Sequence, residues 1–210
     1  MPRQERPLLV LLDMNGTILR RAKSDLIGGR KPDLLHNSIR YYMRPHAITL
    51  VDLLRSHPRA RLGFYTSMRR ENALPAVTWL LGKSAKDSTG EASRILYHRG
   101  FNKRDPLGSN HWDTMRDIPK VWRTPKMIGS GFNASNTIMV DDTPRKMREM
   151  PGNVIVLPEF TEVAVVNGND NVIPQVCSYL QTLLEDSSWT DVRRRERFTL
   201  ELEKQGVISK

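Results

Sequence analysis

The sequence predicts an α/β domain: a parallel sheet with helices on both faces. Two observations carry this reading. Short runs rich in Val, Leu and Ile ("LLVLLD" at 8–13, "ARLGFYT" at 60–66, "NTIMVDD" at 136–142) lack the alternation of a strand with one wet face, and such runs suit strands buried on both sides. Between them lie segments whose apolar residues recur at helical spacing, and strand–helix alternation is the signature of parallel crossovers. At 210 residues the chain can form one substantial core or two small ones.

Residues 8–13 open the sheet, and residues 46–56 follow as a helix with apolar positions 47, 50, 51 and 54. After the strand at 60–66, residues 67–82 read as a second helix, kinked by Pro75 and closed by Gly82. Residues 83–94 are polar and read as a loop, 95–101 as a strand, and 102–135 as irregular chain rich in Gly, Pro and Asn. The strand at 136–142 ends in two acids, and Pro144 then opens a helical turn capped by Asp142 or Thr143. A strand at 153–160 and a helix at 171–186, apolar at 172, 173, 176, 180, 183 and 184, complete a domain spanning 1–186. A last helix is expected over 188–204, in an extension at 187–210, with Trp189, Val192, Phe198 and Leu202 as an apolar stripe that packs back on the domain; the alternative is docking onto RNA or a partner protein, with the arginine cluster of "RRRER" on or near the other face. Trp79, Trp112 and Trp122 read as core or cleft-wall residues.

Lys and Arg outnumber Asp and Glu by 33 to 23, a net charge of +10, which attracts polyanions, chiefly nucleic acid. The hydrophobic share is 39% and mean hydropathy −0.49, and no apolar run approaches the ~20 residues of a membrane span. The N-terminus is a poor secretory signal. The single cysteine, Cys177, allows no internal disulfide or thiolate cluster and reads as core filler. An intracellular, reducing compartment is expected, the nucleus or the mitochondrial matrix foremost.

Asp13, Thr66 and the pair Asp141–Asp142 each stand just past a strand. In open parallel sheets that edge is where ligands bind. A carboxylate launched from a buried strand and followed by Gly-Thr suits a nucleophile that attacks phosphorus, splitting one displacement into two through an aspartyl-phosphate. Two anions then approach each other, so a hard cation with oxygen ligands, Mg²⁺, is expected on Asp13 and Asp141 with the main-chain carbonyl of Asn15. Thr66 would donate to the phosphoryl group, and a cation from mid-chain would offset the remaining charge.

These residues resemble the haloacid-dehalogenase (HAD) superfamily, whose first motif is an apolar strand followed by D-x-D-x-T. "YMRPHAITLVDLL", "GFYTSMRRENALPAVTWL" and "LYHRGF" look like segments of the RNA polymerase II C-terminal-domain phosphatases and NLI-interacting-factor-like proteins. "SNTIMVDDTPRKMREMPGNVIVLPEF" is similar to the fourth-motif region of the ubiquitin-like-domain-containing members. The resemblance spans about residues 8–185 and implies a HAD-like, Rossmannoid sheet. It makes Asp13 the nucleophile and a metal ligand, Thr66 the second-motif hydroxyl, and Asp141 a metal ligand with Asp142 beside it. It places Arg116, in "TMRDIPKVW", where a third-motif lysine is expected, with Lys120 as the fallback.

Two departures follow. The second acid of the first motif is Asn15, and an amide cannot shuttle protons at neutral pH. Arg116 keeps the charge of lysine but spreads it over a planar fork. Basic pairs after three motif strands (Arg20–Arg21, Arg69–Arg70 and Arg145–Lys146) would ring the cleft and could hold a phosphopeptide or a nucleic-acid backbone. The expectation is a weakened or inactive phosphatase serving as an RNA or ribonucleoprotein-binding module, for example in ribosome assembly. The rival is an active Mg²⁺-dependent phosphoserine or phosphothreonine phosphatase.

Overall fold

The computed structural model describes residues 6–26, 29–82, 85–110, 113–186 and 188–200. Five parallel strands form the central sheet: β1 (Leu8–Leu12), β5 (Ala60–Tyr65), β6 (Leu96–Tyr97), β9 (Thr137–Asp141) and β10 (Val154–Val156), in the order β10-β9-β1-β5-β6. From β1 the chain builds outward through β5 and β6, then returns to the other side of β1 with β9 and β10. The order therefore reverses between β1 and β9, and the crevice beyond their carboxyl ends is the natural ligand site of such a sheet.

Every residue of β1 is buried, as its unbroken apolar run requires, and the period-two alternation sorts them by face. Leu8, Val10 and Leu12 enter the larger core cluster, with helices α1 (Ala47–Ser56), α2 (Arg70–Leu80) and α6 (Val172–Glu185). Leu9 and Leu11 enter a second cluster with Ile118 and Val121 of the short helix α4 (Ile118–Trp122), Met139 and Met147. The sheet is covered on both faces, as expected. Trp79 packs against the first cluster and Trp122 against the second; Trp112 lies outside the described residues.

The helices expected at 46–56 and 171–186 are present nearly to the residue, and Gly82, at φ 64°, ends the turn after α2. Elsewhere the structure departs from the sequence reading. A three-stranded antiparallel sheet follows β1, made of β2 (Leu19–Ala22), β3 (Leu34–His36) and β4 (Ile39–Met43) in the order β2-β4-β3. Its tight turn uses Asn37 and Ser38, both at positive φ (48° and 61°). That is the geometry of a two-residue hairpin without the Asn-Gly pair that announces one.

The polar stretch read as a loop at 83–94 contains a helix, α3 (Ala85–Ile95). Ala92 is fully buried, and Glu91 and Ser93 are held by Arg55 and Arg70. Only Leu96–Tyr97 of the strand expected at 95–101 pairs, followed by a 3₁₀ turn at Arg99–Phe101. Within 102–135 the chain forms α4 and a small hairpin, β7 (Lys103–Arg104) and β8 (Thr114–Met115). Pro144 opens a 3₁₀ turn at Pro144–Met147 with Thr143 at its N-cap position, and neither Asp142 nor Thr143 caps it through a side chain. The strand at 153–160 shortens to β10, and a helix not foreseen, α5 (Glu162–Asn167), follows it.

The helix expected over 188–204 is absent from its described part. Residues 188–200 run as extended chain with one 3₁₀ turn at Val192–Arg194, and Leu202 lies outside the described residues. The segment does pack back on the domain. Trp189 donates to the Leu183 carbonyl at 2.7 Å, Val192 is fully buried, and Phe198 meets Tyr179 edge-on. Cys177 is half-buried against the same core, which pushes its thiol up to about 11, so it behaves as filler. No helix among the described residues is long and apolar enough to cross a membrane.

Candidate active site

Strand register builds the site. Leu12 pairs with Val140, so the next residues, Asp13 and Asp141, leave the sheet side by side, and the Asp13 amide donates to the Val140 carbonyl at 2.9 Å. Both follow the parity of Leu9, Leu11 and Met139 and face the α4 side. There Arg116, just before α4, closes over them. Its Nη2 donates to Asp13 Oδ1 at 2.6 Å, its Nε to Asp141 Oδ2 at 2.8 Å, and its Nη1 to Ser67 Oγ at 3.2 Å. The guanidinium carbon lies 5.1 Å from the centre of the Tyr65 ring. Of the two candidate bases, Arg116 is the one that meets the carboxylates. Lys120 does not: its ammonium donates to the Gly100 carbonyl at 2.8 Å and lies over the Phe101 ring, because one helical turn carries it away from the carboxylates.

Thr17 ties the other side of the pocket. Its hydroxyl lies 3.3 Å from Asp13 Oδ2 and 3.0 Å from Asp142 Oδ1, and it accepts the Asp142 amide at 3.1 Å. The intervening Gly16 sits at φ 90°, and a Cβ there would lie 2.6 Å from Asp142 Oδ2. Only glycine lets the turn and the carboxylate come so close. One oxygen each from Asp13, Asp141 and Asp142 lies within 4.8 Å of the others.

Burial pushes the Asp13 carboxyl up to about 7; Arg116 and Lys146 pull it down, while Asp141 and Asp142 push it further up. Burial and Asp141 likewise raise Asp142. Burial opposes the charge on Arg116, yet Asp13 and Asp141 outweigh it and hold the guanidinium protonated above its usual range. Three acids against one buried guanidinium leave an uncompensated negative charge, and every donor is a hard oxygen. That set fits a small divalent cation.

Asn15 turns its Oδ1 to accept the Arg21 amide at 3.0 Å, while its main chain bridges to Leu19. A carboxylate could accept the same bond, so the fold does not require the amide. Thr66 is buried at the end of β5, its amide on the Tyr97 carbonyl and its Oγ1 accepting from Met68 N at 3.2 Å. The basic rim is more engaged than the sequence suggests. Arg20 pairs with Glu159 and Glu162, Arg21 lies over Tyr41, and Arg145 pairs with Asp105. Arg70 donates to Ser93, and Arg69 reaches Glu71 only at 4.0 Å and is 70% exposed. Lys146 acts on Asp13 and Asp142 through space. Sequence reasoning used Thr17 only as part of the Gly-Thr turn after Asp13 and gave Ser67 no role. Thr17 closes the D-x-N-G-T motif and so was visible; Ser67 had no signal beyond its place after Thr66.

A parallel sheet whose switch point carries an aspartate, a paired acid and a clamping base has the layout of a HAD-like domain. The chain belongs to the NLI interacting factor-like phosphatase family, whose model matches residues 8–193. The assignment to the CTD-phosphatase type of HAD-like domain, implied by the motifs, holds. Among solved structures the chain is similar to the fission yeast RNA polymerase II CTD phosphatase Fcp1 bound to beryllium fluoride, with 14% identity, a TM-score of 0.46 and 87% of this chain covered. It is also similar to a structure of Fcp1 described as an essential RNA polymerase II CTD phosphatase, with 14% identity, a TM-score of 0.44 and 97% covered. The match spans 52% and 62% of those two chains. No curated protein matches the sequence.

Proposed function

We propose that this domain is a Mg²⁺-dependent phosphomonoester-binding domain with crippled turnover. The observation that carries the reading is the Asp13 carboxylate, gripped between Arg116 and Thr17 beside Asp141 and Asp142, with an amide at the acid–base position. Asp13, Asp141 and Asp142 would hold the cation, which neutralises the charge between nucleophile and phosphoryl group. Asp13 Oδ1 or Oδ2 is the attacking atom, Arg116 and Thr17 fix its direction, and the Thr66 hydroxyl donates to a phosphoryl oxygen. Asn15 can orient a leaving group but cannot give it a proton. That loss of general acid–base catalysis costs ~10²–10⁴-fold in rate.

Turnover of a generic aryl phosphate with Mg²⁺ tests this. Wild type should be slow, Asn15→Asp faster by roughly 10²-fold or more, and Asp13→Asn inactive. Wild-type activity that survives Asp13→Asn would overturn the reading, and so would an Asn15→Asp variant that gains nothing.

A second reading, an RNA or ribonucleoprotein component such as a ribosome-assembly factor in the nucleus or mitochondrial matrix, is favoured by the net charge of +10 and by Arg194 and Arg197, exposed near the C-terminus. RNA affinity that falls steeply with salt and flattens on Arg194→Ala with Arg197→Ala would support it. An unchanged slope would remove it.

A further inference from the structure

We propose that the Ser67 hydroxyl donates a hydrogen bond directly to an oxygen of a phosphate bound in this pocket, so that Thr66 and Ser67 form a pair of adjacent donors. This rests on the phosphate-binding reading above and deepens it. A serine hydroxyl has one proton to give and two lone pairs. Both lone pairs of Ser67 Oγ are taken inside the protein: Arg116 Nη1 donates to it at 3.2 Å and Asn102 Nδ2 at 3.1 Å. With both groups donating to the one oxygen, the O–H proton points away from them. No acceptor meets that proton among the described residues.

The neighbours hold this geometry. Asn102 Nδ2 also lies 3.4 Å from Thr114 Oγ1 on β8, and its buried Oδ1 meets no donor among the described residues. Arg116 is pinned by Asp13, Asp141 and the Tyr65 ring. Ser67 is half-buried and follows Thr66 off the end of β5, so its hydroxyl lies at the carboxyl edge of the sheet, linked to Asp13 through the Arg116 guanidinium. Thr66 Oγ1 accepts from Met68 N and likewise gives its proton to no described group. Two unspent hydroxyl protons beside a buried carboxylate cluster suit a tetrahedral oxyanion, which presents several acceptor oxygens and no donor.

Titration calorimetry of inorganic phosphate into the Mg²⁺-loaded full chain tests this, with Mg²⁺ binding alone measured in parallel. Losing a donor to a charged acceptor should weaken phosphate about tenfold or more in Ser67→Ala. Ser67→Cys, close in size but a weak donor, should fall similarly, and Ser67→Thr should recover most of the affinity. Mg²⁺ affinity should not change in any of them. Asn102→Ala removes a donor to Ser67 but leaves its proton, so it should bind phosphate almost as wild type does. Wild-type affinity in Ser67→Ala and Ser67→Cys would overturn this inference alone. An Asn102→Ala loss that matches Ser67→Ala would also overturn it, because Ser67 would then act only by holding Arg116. A wild-type chain that takes up no phosphate with Mg²⁺ would overturn the phosphate-binding reading itself.

Discussion

Asp13 concentrates the conflict that makes the site useful. Its carboxyl is fully buried beside two other acids, and its pKa rises from 3.8 to about 7. Between those values the folded chain holds a proton that the unfolded chain has lost. The stability from this group is therefore full below about 3.8 and is lost as pH climbs through about 7. A divalent cation competes with that proton and replaces the missing charge. The rise in melting temperature on adding Mg²⁺ should thus be small near ~pH 6 and clearly larger near ~pH 8; equal shifts at both would mean that Asp13 does not take the metal. Gly16 supports the same cluster. Gly16→Ala forces a Cβ to within 2.6 Å of Asp142 Oδ2 at a φ of 90°, and should cost ~1–3 kcal/mol in chemical denaturation. It should also weaken Mg²⁺ binding, because the Asp142 carboxylate must move.

Secondary-structure elements carry the site through a few buried ties, and here the limits of the sequence are instructive. The strands β1, β5 and β9 were legible because burial on both faces leaves an unbroken apolar run, and Asp13, Thr66 and Asp141 were legible as the residues that end those runs. The hairpin β2–β4 was not, because its Asn37–Ser38 turn lacks the usual glycine. Nor was α3, whose low apolar content hides its period. Gly90, inside α3, offers a direct check: an added Cβ would meet only Arg94 Nη2 at 3.8 Å. Gly90→Ala should stabilise by ~0.5–1 kcal/mol if the segment is a helix, and Gly90→Pro should cost ~3 kcal/mol or more. In a loop neither effect would be expected. A further tie is Arg44 in the "RP" element, buried in β4's exit. It grips Asp170 with Nε and Nη2 and donates Nη1 to the carbonyls of Thr17 at 2.9 Å and Pro158 at 3.1 Å. It thereby fixes the loop that presents Thr17 to Asp13 and Asp142. Asp170→Ala leaves a buried guanidinium uncompensated and should cost ~3–5 kcal/mol, read as a lower urea midpoint with an unchanged slope.

At the scale of the whole molecule, the sequence suggested a domain over 1–186 and a helical extension packed back on it, because the apolar stripe at Trp189, Val192 and Phe198 has helical spacing. The packing is present and the helix, over the described residues, is not. Val192 and Leu200 are buried in the cluster that holds β1, α1 and α6, with Trp189 and Phe198 packed against it. Arg59 donates to the carbonyls of Leu184 and Asp186 and lies under the Trp189 ring. Arg195 donates to the Gly152 and Val154 carbonyls, sealing the outer edge of β10. Tertiary contact, rather than helix formation, satisfies this segment, and periodicity alone cannot tell the two apart. A chain cut after Asp186 therefore loses part of its core rather than an appendage. Burying a large aliphatic side chain contributes ~1.5–3 kcal/mol, so losing Val192 and Leu200 removes an appreciable share of the ~5–15 kcal/mol typical of a folded domain. Urea unfolding should show the cut chain shifted to a clearly lower midpoint, with broadened or lost cooperativity. If the chain cut after Asp186 kept the full-length midpoint, the segment would be a true extension and the core would close without it.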